Sequence, residues 1–183
     1  MKTIILDRDG VINENSVSFI TSHEEWLPIA GSIEAMAQLS QAGFRVAVAT
    51  NQSGVARGLF DELALSNMHN KLRLMVEDAG GRVDGIFYCP HAPDAGCECR
   101  KPATGLLQQI EREFAVSLQG CWFVGDSLRD LQAGQRHGCQ PVLVRTGSGL
   151  ETERGLSRAD VSDVLVFDDL ASAANHLLEA DNS

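Results

Sequence analysis

Residues 3–10 read Thr-Ile-Ile-Leu-Asp-Arg-Asp-Gly, a short apolar run that passes directly into two aspartates. An apolar run of this length predicts a buried strand. Because side chains alternate along an extended chain, Asp7 and Asp9 point to the same side. Two close carboxylates repel each other unless a cation, a proton or a reaction stabilises them. The stretch therefore indicates a catalytic or metal-binding strand end or, as the alternative, a loop with two solvated aspartates.

Further apolar runs recur along the chain and are separated by segments with helical periodicity. The predicted strands cover residues 3–6, 45–49, 85–88, 121–124, 141–144 and 164–167. They lack polar alternation, and alternation of such strands with helices predicts a parallel sheet covered on both faces. We therefore expect an α/β, Rossmann-like fold.

Helix start and stop signals divide the segments between these strands. The predicted helices are, in chain order, one that ends at Gly43, one from Asp61 to Gly80, one opened by Pro102, one opened by a capping box of Ser127 and Asp130, and one through Leu170 and Leu177. Neither the stretch before Thr50 nor the stretch from Asn51 to Lys101 is long enough for a separate cap domain. We expect residues 1–183 to form a single domain.

Composition and net charge indicate which binding partners and which cellular compartment to expect. The chain has 183 residues, 44% of them hydrophobic and 22% charged, and a net charge of −10. This acidic balance argues against nucleic acid or an anionic membrane as a partner. Neither a membrane-spanning apolar run nor a signal-peptide pattern is present, so we expect a cytoplasmic protein. We also expect it to be a monomer.

Polar residues follow several of the predicted strands. Asp7 and Asp9 follow the first, Thr50 and Asn51 the second, and Asp126 the fourth. Ligands of parallel sheets bind outside the carboxyl ends of the strands. These residues are therefore expected to converge on one edge of the sheet.

Four carboxylates at this edge suit phosphoryl transfer. Asp7 can attack an electrophile such as phosphorus and form an acyl-phosphate. Asp9 can protonate the leaving oxygen and then deprotonate the attacking water. Asp126 and Asp130 offer oxygen ligands to a hard divalent cation. The alternative for Asp130 is a helix cap that interacts with the helix dipole.

Two further residues can stabilise the transferred group. Lys101 can neutralise both the nucleophile and the phosphoryl group, and Thr50 can donate its hydroxyl to a phosphate oxygen. Individually, Lys101 could be a solvated charge and Thr50 an ordinary end of a strand. Their order along the chain and their shared edge favour the catalytic interpretation.

A short loop carries a second candidate metal site. Three thiolates and one imidazole, the Cys3His set that tetrahedral Zn²⁺ takes, are offered by Cys89, His91, Cys97 and Cys99. A protein-filled set of four ligands predicts a structural zinc, which would fix the loop before Arg100 and Lys101. The alternative is buried cysteines with an incidental histidine. We interpret Cys121 and Cys139 as small packing residues.

The motifs together resemble a known family. Residues 7–10, Thr50, Lys101 and residues 125–130 are similar to the four motifs of haloacid dehalogenase (HAD) superfamily phosphatases. The resemblance spans residues 4 to about 146. It implies Mg²⁺ held by the Asp7 carboxylate, the Asp9 backbone carbonyl and the Asp126 carboxylate, and catalysis through a phosphoaspartate.

Two branches of that superfamily carry such a zinc loop, one acting on D-glycero-D-manno-heptose 1,7-bisphosphate and the other on histidinol phosphate. Residues 50–58, Thr-Asn-Gln-Ser-Gly-Val-Ala-Arg-Gly, look like the heptose branch. That resemblance implies removal of the 7-phosphate on a route to lipopolysaccharide core precursors. The expected substrate-binding residues are Asn15, Ser18, Asn51, Arg57 and Arg100. Histidinol phosphatase remains an alternative, and so does a receiver-like regulatory domain phosphorylated on Asp7.

Overall fold

A single parallel sheet organises the computed structural model of the chain, which describes residues 2–16, 19–157 and 159–181. Its strands are β1 (Thr3–Leu6), β2 (Arg45–Asn51), β3 (Gly85–Cys89), β4 (Trp122–Gly125), β5 (Gln140–Val144) and β6 (Leu165–Phe167). They lie in the order β3-β2-β1-β4-β5-β6, and every neighbouring pair is parallel. The predicted Rossmann-like α/β fold is confirmed.

Helices cover both faces of this sheet. They are α1 (Ser32–Gln41), α2 (Glu62–Asp78), α3 (Gly105–Phe114), α4 (Leu128–His137), α5 (Gly149–Gly155) and α6 (Leu170–Asp181). Ile4 and Leu6 of β1 pack into a core with α1, α2 and α6. Ile5, which points the other way, packs into a second core with α3 and α4. This alternation is why β1 is apolar throughout: both of its faces are buried.

The sequence signals for helix ends are confirmed at two helices. Asp61 caps α2, its side chain accepting a hydrogen bond from the Ala64 amide at 2.8 Å. Ser127 and Asp130 form the expected capping box of α4, which ends at a left-handed Gly138. Cys139 is buried in the second core, as predicted for a packing residue. Within the described residues, every helix is too short or too polar to cross a membrane.

The helices differ from the prediction at two places. Pro102 does not open α3, which begins at Gly105. Before it, the Ala103 amide bonds to the Arg100 carbonyl, and the Gly105 amide bonds back to the Glu98 carbonyl, so these residues form turns instead. Helix α5 was not predicted at all, because its sequence Gly-Leu-Glu-Thr-Glu-Arg-Gly has no apolar stripe.

The topology fixes where a ligand can bind. The chain proceeds outward in one direction from β1 to β3 and in the other from β4 to β6, so β1 and β4 flank the switch point of the sheet. Clefts at switch points, outside the carboxyl ends of strands, are the binding sites of such sheets. The Asp7 amide, which follows β1, bonds to the Val124 carbonyl of β4 at 2.8 Å. Asp7 therefore lies at the centre of the switch point.

Candidate active site

A buried ion-pair cluster forms the floor of the cleft. The Nζ atom of Lys101 lies 2.8 Å from Asp7 Oδ1 and 2.6 Å from Asp130 Oδ1. It also donates to the Ala49 carbonyl at 2.8 Å, so three acceptors fix the ammonium group. The Lys101 side chain is 1% exposed. A buried charge of this kind is stable only when it is paired and hydrogen-bonded, as it is here.

Asp126 joins this floor from the end of β4 and is held by Ser148, directly before α5, and by Thr152 within α5. Its Oδ2 accepts a hydrogen bond from the Ser148 amide at 2.8 Å, and its carbonyl accepts one from Thr152 Oγ1 at 2.8 Å. Gly10, at φ +83°, packs so closely against the Asp126 carboxylate that a Cβ atom there would collide with it. Position 10 therefore requires a glycine, because the chain after β1 passes directly against the Asp126 side chain at the end of β4.

The floor carries more negative than positive charge. Carboxylate oxygens of Asp7, Asp126 and Asp130 lie within 4.8 Å of one another. Burial, and then the charge of Asp130, raises the pKa of Asp7 to about 8 against the lowering effect of Lys101. The same two causes raise the pKa of Asp126 to about 6. Clustered, buried carboxylates with raised pKa values suit a hard divalent cation, which prefers oxygen ligands and supplies the missing positive charge. The donor set fits Mg²⁺.

Asp130 forms the helix cap that its sequence position offered as an alternative, and it also pairs with Lys101. Its Oδ2 accepts hydrogen bonds from the amide and hydroxyl of Ser127, at 3.1 and 2.6 Å. Its Oδ1 faces Lys101 at 2.6 Å. One carboxylate thus caps α4 and anchors the lysine of the floor.

Asp9 points to a different set of partners from Asp7. Its carboxylate accepts from Arg8 Nε at 3.0 Å and Nη2 at 2.9 Å, from Asn13 Nδ2 at 2.9 Å and from Gln52 Nε2 at 2.8 Å. Burial alone would raise the pKa of Asp9, but the Arg8 guanidinium and these hydrogen bonds lower it below its usual value. All of these partners donate, so they suit the ionised carboxylate.

The two residues at the end of β2, Thr50 and Asn51, have different hydrogen-bond partners. Thr50 is buried, and its Oγ1 accepts from Gln52 Nε2 at 2.9 Å, which leaves the hydroxyl hydrogen to donate elsewhere. Asn51 lines the cleft but uses its amide on Lys101: Oδ1 accepts from the Lys101 amide at 3.0 Å, and Nδ2 donates to its carbonyl at 3.2 Å. Asn51 therefore fixes the backbone of the lysine.

A cavity of about 370 Å³ opens above the floor. Its walls come from three loops, and they include Asn15, Ser16, Phe19, Ile20, Gln52, Ser53, Arg57, Phe60, Pro93 and Arg100. The predicted substrate residues Asn15, Asn51, Arg57 and Arg100 all line this cavity. Ser18 lies outside the described residues.

Three arginines surround the mouth of the cavity. Arg57, Arg100 and Arg129 all line it, although the chain as a whole is acidic. Burial, followed by the charge of Arg129, lowers the pKa of Arg100, and Arg57 adds to that effect. In the described parts of the chain, none of the three forms an ion pair with a carboxylate. Unpaired, mutually repelling guanidinium groups around one cavity suit an anionic ligand.

The four predicted zinc ligands converge in one cluster. The Sγ atom of Cys89 lies 3.6 Å from that of Cys97 and 3.1 Å from that of Cys99, and His91 Nδ1 lies 3.2 Å from Cys99 Sγ. These separations approach the edge of about 3.8 Å in a tetrahedron with Zn–S bonds of about 2.3 Å. Burial raises the pKa of the Cys89 thiol to about 12, so a metal is needed to hold it as the thiolate. The donor set fits Zn²⁺.

Several residues of the site carried no sequence signal. Arg8, Asn13 and Gln52 surround Asp9, and Ser148 fixes Asp126. Their positions depend on how loops fold back on the sheet. Arg129 lies within the motif at residues 125–130, and its cationic side chain beside the aspartates of that motif was the available signal.

The chain is similar in sequence to a family model and to proteins of known name. The family model described as HAD-hydrolase-like (Hydrolase_like) matches residues 98–173. A D-glycero-β-D-manno-heptose-1,7-bisphosphate 7-phosphatase from Pseudomonas aeruginosa is 54% identical over 176 residues, which cover 96% of this chain and 97% of that protein. The protein of the same name from Pseudomonas putida is 53% identical, with 97% and 100% covered.

A solved structure agrees with the fold as a whole. The crystal structure of the D,D-heptose 1,7-bisphosphate phosphatase from Bordetella bronchiseptica, complexed with magnesium and phosphate, superposes with a TM-score of 0.93. It is 49% identical, and the match covers 98% of this chain and 99% of that one. The chain is a phosphoric monoester hydrolase, which excludes the receiver-like alternative. It belongs to the D-glycero-β-D-manno-heptose-1,7-bisphosphate 7-phosphatase family of HAD-like hydrolases.

Proposed function

We propose that the enzyme removes the 7-phosphate of D-glycero-β-D-manno-heptose 1,7-bisphosphate through an aspartyl-phosphate on Asp7. The observation that carries this proposal is the buried Asp7–Lys101 pair at the floor of a cavity whose mouth is lined by three arginines. The floor suits the phosphate that is transferred, and the arginines suit a second phosphate. The relatives' names supply the sugar and the anomer.

In the first step, Asp7 attacks phosphorus. Lys101 lies against Asp7 Oδ1, so its positive charge lowers the pKa of the nucleophile and stabilises charge on the phosphoryl oxygens. The hydroxyl of Thr50 donates to one of those oxygens. Mg²⁺ held by the Asp7 and Asp126 carboxylates and the Asp9 carbonyl would add further positive charge at the same place.

Asp9 transfers the proton. In the free enzyme Arg8, Asn13 and Gln52 hold it as a carboxylate. A bound phosphoryl group brings negative charge beside Asp9, which raises the pKa of the carboxyl and allows it to carry a proton. Asp9 gives this proton to the leaving sugar oxygen and then takes one from the water that hydrolyses the aspartyl-phosphate.

The phosphate that stays on the sugar binds at the mouth of the cavity. Arg57, Arg100 and Arg129 provide guanidinium groups there, and such groups can bind phosphate through two parallel hydrogen bonds. Asn15 and Ser18 are proposed to contact sugar hydroxyls. A histidinol phosphate carries an ammonium group, which three arginines would repel, so the charge at this mouth favours the bisphosphate.

The zinc loop is proposed to orient two cations of the site, Arg100 and Lys101. Its last ligand, Cys99, directly precedes Arg100 and Lys101. Asn51 holds the Lys101 backbone from the sheet side through two hydrogen bonds. We propose that zinc fixes the other side of this segment, so that Arg100 faces the cavity and Lys101 reaches the floor.

The whole chain, residues 1–183, is proposed to be one phosphatase domain that acts as a cytoplasmic monomer without nucleic acid or membrane partners. Its substrate is a small sugar bisphosphate whose product enters nucleotide-activated heptose synthesis for lipopolysaccharide core. The molecule as a whole is acidic, but three arginines line the mouth of its cavity. This distribution of charge supports a small anionic substrate rather than a polyanion.

A comparison of phosphate release tests the substrate. The purified enzyme, with Mg²⁺, is assayed on both anomers of heptose 1,7-bisphosphate, on histidinol phosphate and on fructose 1,6-bisphosphate. We expect the highest kcat/KM for the β-heptose bisphosphate, with the 1-phosphate left on the sugar. A higher kcat/KM for histidinol phosphate would reject the proposal.

A further inference from the structure

A buried arginine, Arg8, lies between the two catalytic aspartates in the sequence, and its side chain contacts Asp9 and His69. The Arg8 side chain is 2% exposed. Its Nε and Nη2 atoms both donate to Oδ1 of Asp9, at 3.0 and 2.9 Å, and Nη2 also donates to Oδ2 at 3.2 Å, so the guanidinium contacts both carboxylate oxygens. The direction of the Asp9 side chain therefore depends on where the Arg8 guanidinium is held.

A histidine from α2 holds the far side of that guanidinium. His69 Nε2 lies 3.3 Å from Arg8 Nη1. An arginine has only donors, so His69 must be the acceptor, with Nε2 unprotonated and the ring neutral. The imidazole is buried and packs against the Tyr88 ring of β3 at 5.8 Å. Burial, and then the charges of Arg8 and Arg73, lower the pKa of His69 to about 3, which agrees with a neutral acceptor.

We infer that His69 and Arg8 are positioning residues for the catalytic acid/base Asp9, linked as a relay of hydrogen bonds from α2 to the carboxylate. This inference rests on the proposed role of Asp9. Asn13 and Gln52 also donate to Asp9, but each offers a single amide, whereas Arg8 contacts both carboxylate oxygens. Without the acceptor on His69, one buried N–H of Arg8 loses its partner, and the guanidinium can rotate away from Asp9.

Such a role affects one chemical step more than others. Asp9 is needed to protonate a sugar oxygen as it leaves, because an alkoxide is a poor leaving group. It is needed much less when p-nitrophenyl phosphate donates its phosphoryl group to Asp7, because p-nitrophenolate leaves as a stable anion. The ratio of kcat/KM for these two substrates therefore reports how well Asp9 is placed, whereas general damage to the site lowers both values.

The test compares two substitutions of the full-length, Mg²⁺-loaded enzyme. His69→Leu removes the acceptor and keeps an apolar side chain, and His69→Gln keeps an acceptor oxygen. We expect His69→Leu to lower kcat/KM for the heptose bisphosphate by about 10- to 100-fold, and to change kcat/KM for p-nitrophenyl phosphate by less than about threefold. His69→Gln should stay within about threefold of the wild type on both substrates.

The matched control is His176→Leu, a substitution of an exposed histidine on α6 that should leave both values unchanged. Equal losses on the two substrates, or no loss at all in His69→Leu, would overturn the inference. Failure of the proposed substrate is a separate outcome, because it appears in the wild type as absent turnover of heptose bisphosphate. The same ratio is then measured with the alkyl phosphate that the wild type does hydrolyse.

Discussion

The floor of the cleft and the zinc loop are neighbours in the chain but are stabilised in different ways. On the floor, Asp7 at the end of β1, Lys101 in the turns before α3 and Asp130 in α4 are all buried. In the zinc loop, His91 is exposed and Cys97 is only half-buried. The floor is therefore positioned by the packing of the sheet, whereas the loop has little apolar support and depends on its metal.

Because the floor and the zinc loop are stabilised differently, we expect the floor to determine the rate of the chemical step and the loop to determine substrate binding. Groups fixed by the core can hold the reacting atoms to within a fraction of an ångström, which phosphoryl transfer requires. The loop carries cations that need only face the sugar and its second phosphate. Substitutions on the floor should therefore lower kcat, while substitutions in the loop or at the mouth should mainly raise KM.

The largest effect is expected from Asp7→Asn, which removes the nucleophile while keeping its size. Turnover should fall by roughly 10⁴-fold or more, because an amide does not form the phosphoenzyme. Steady-state phosphate release measures the loss. Asp78→Asn, at an exposed position on α2, is the matched control and should remain fully active. Substantial turnover in Asp7→Asn would mean that the floor uses another nucleophile.

Asp9→Asn should have the next largest effect. Folding and Mg²⁺ affinity are expected to stay close to the wild type, since the magnesium ligand proposed here is the Asp9 carbonyl rather than its side chain. Turnover should fall by roughly 10²–10⁴-fold because the proton donor is lost. Phosphate release and calorimetric Mg²⁺ binding are measured on the same preparation. A rate near that of the wild type would exclude Asp9 as the acid/base.

Cys97→Ser tests the zinc loop. Metal analysis should find about one zinc per chain in the wild type and almost none in the variant. The melting temperature should fall, and KM for the bisphosphate should rise by about tenfold with kcat within about threefold, because Asn51 and the buried carboxylates still hold Lys101 whereas Arg100 loses its support. Cys121→Ser, away from the cluster, is the control. A wild-type enzyme that contains no zinc would contradict the zinc assignment.

Arg129→Ala should have the most selective effect of the four substitutions, because it acts on binding of the second phosphate alone. Loss of one guanidinium–phosphate contact is expected to raise KM for the bisphosphate by about tenfold, which corresponds to about 1.4 kcal/mol. KM for a heptose 7-phosphate that lacks the second phosphate should change little. Arg112→Ala, exposed on α3, is the control. Equal changes for both sugars would remove Arg129 from the second-phosphate site.

The parts of the molecule that were predictable from the sequence are those with local signals. The strand that ends at Asp7 is a continuous apolar run, and both of its faces are buried. The cap of α2 at Asp61 and the capping box at Ser127 were visible as short motifs. The zinc ligands were visible as two close pairs of metal-binding residue types, and they converge in the structure.

What the sequence did not reveal depends on contacts between distant segments. Helix α5 has no apolar stripe, yet the segment before it brings the Ser148 amide to Asp126. The sequence pattern assigned no separate role to Arg8 or to His69. Their contact joins positions 61 residues apart, and a pattern read along the chain could not indicate it.

The most direct test of the central claim is a search for phosphate on Asp7 during turnover. The enzyme is mixed with heptose 1,7-bisphosphate and Mg²⁺, quenched in acid, and analysed by peptide mass spectrometry. We predict a phosphorylated peptide in which Asp7 carries the added group, present in the wild type and missing in Asp7→Asn. Rapid phosphate release from the substrate without any phosphorylated Asp7 peptide would contradict the proposed mechanism.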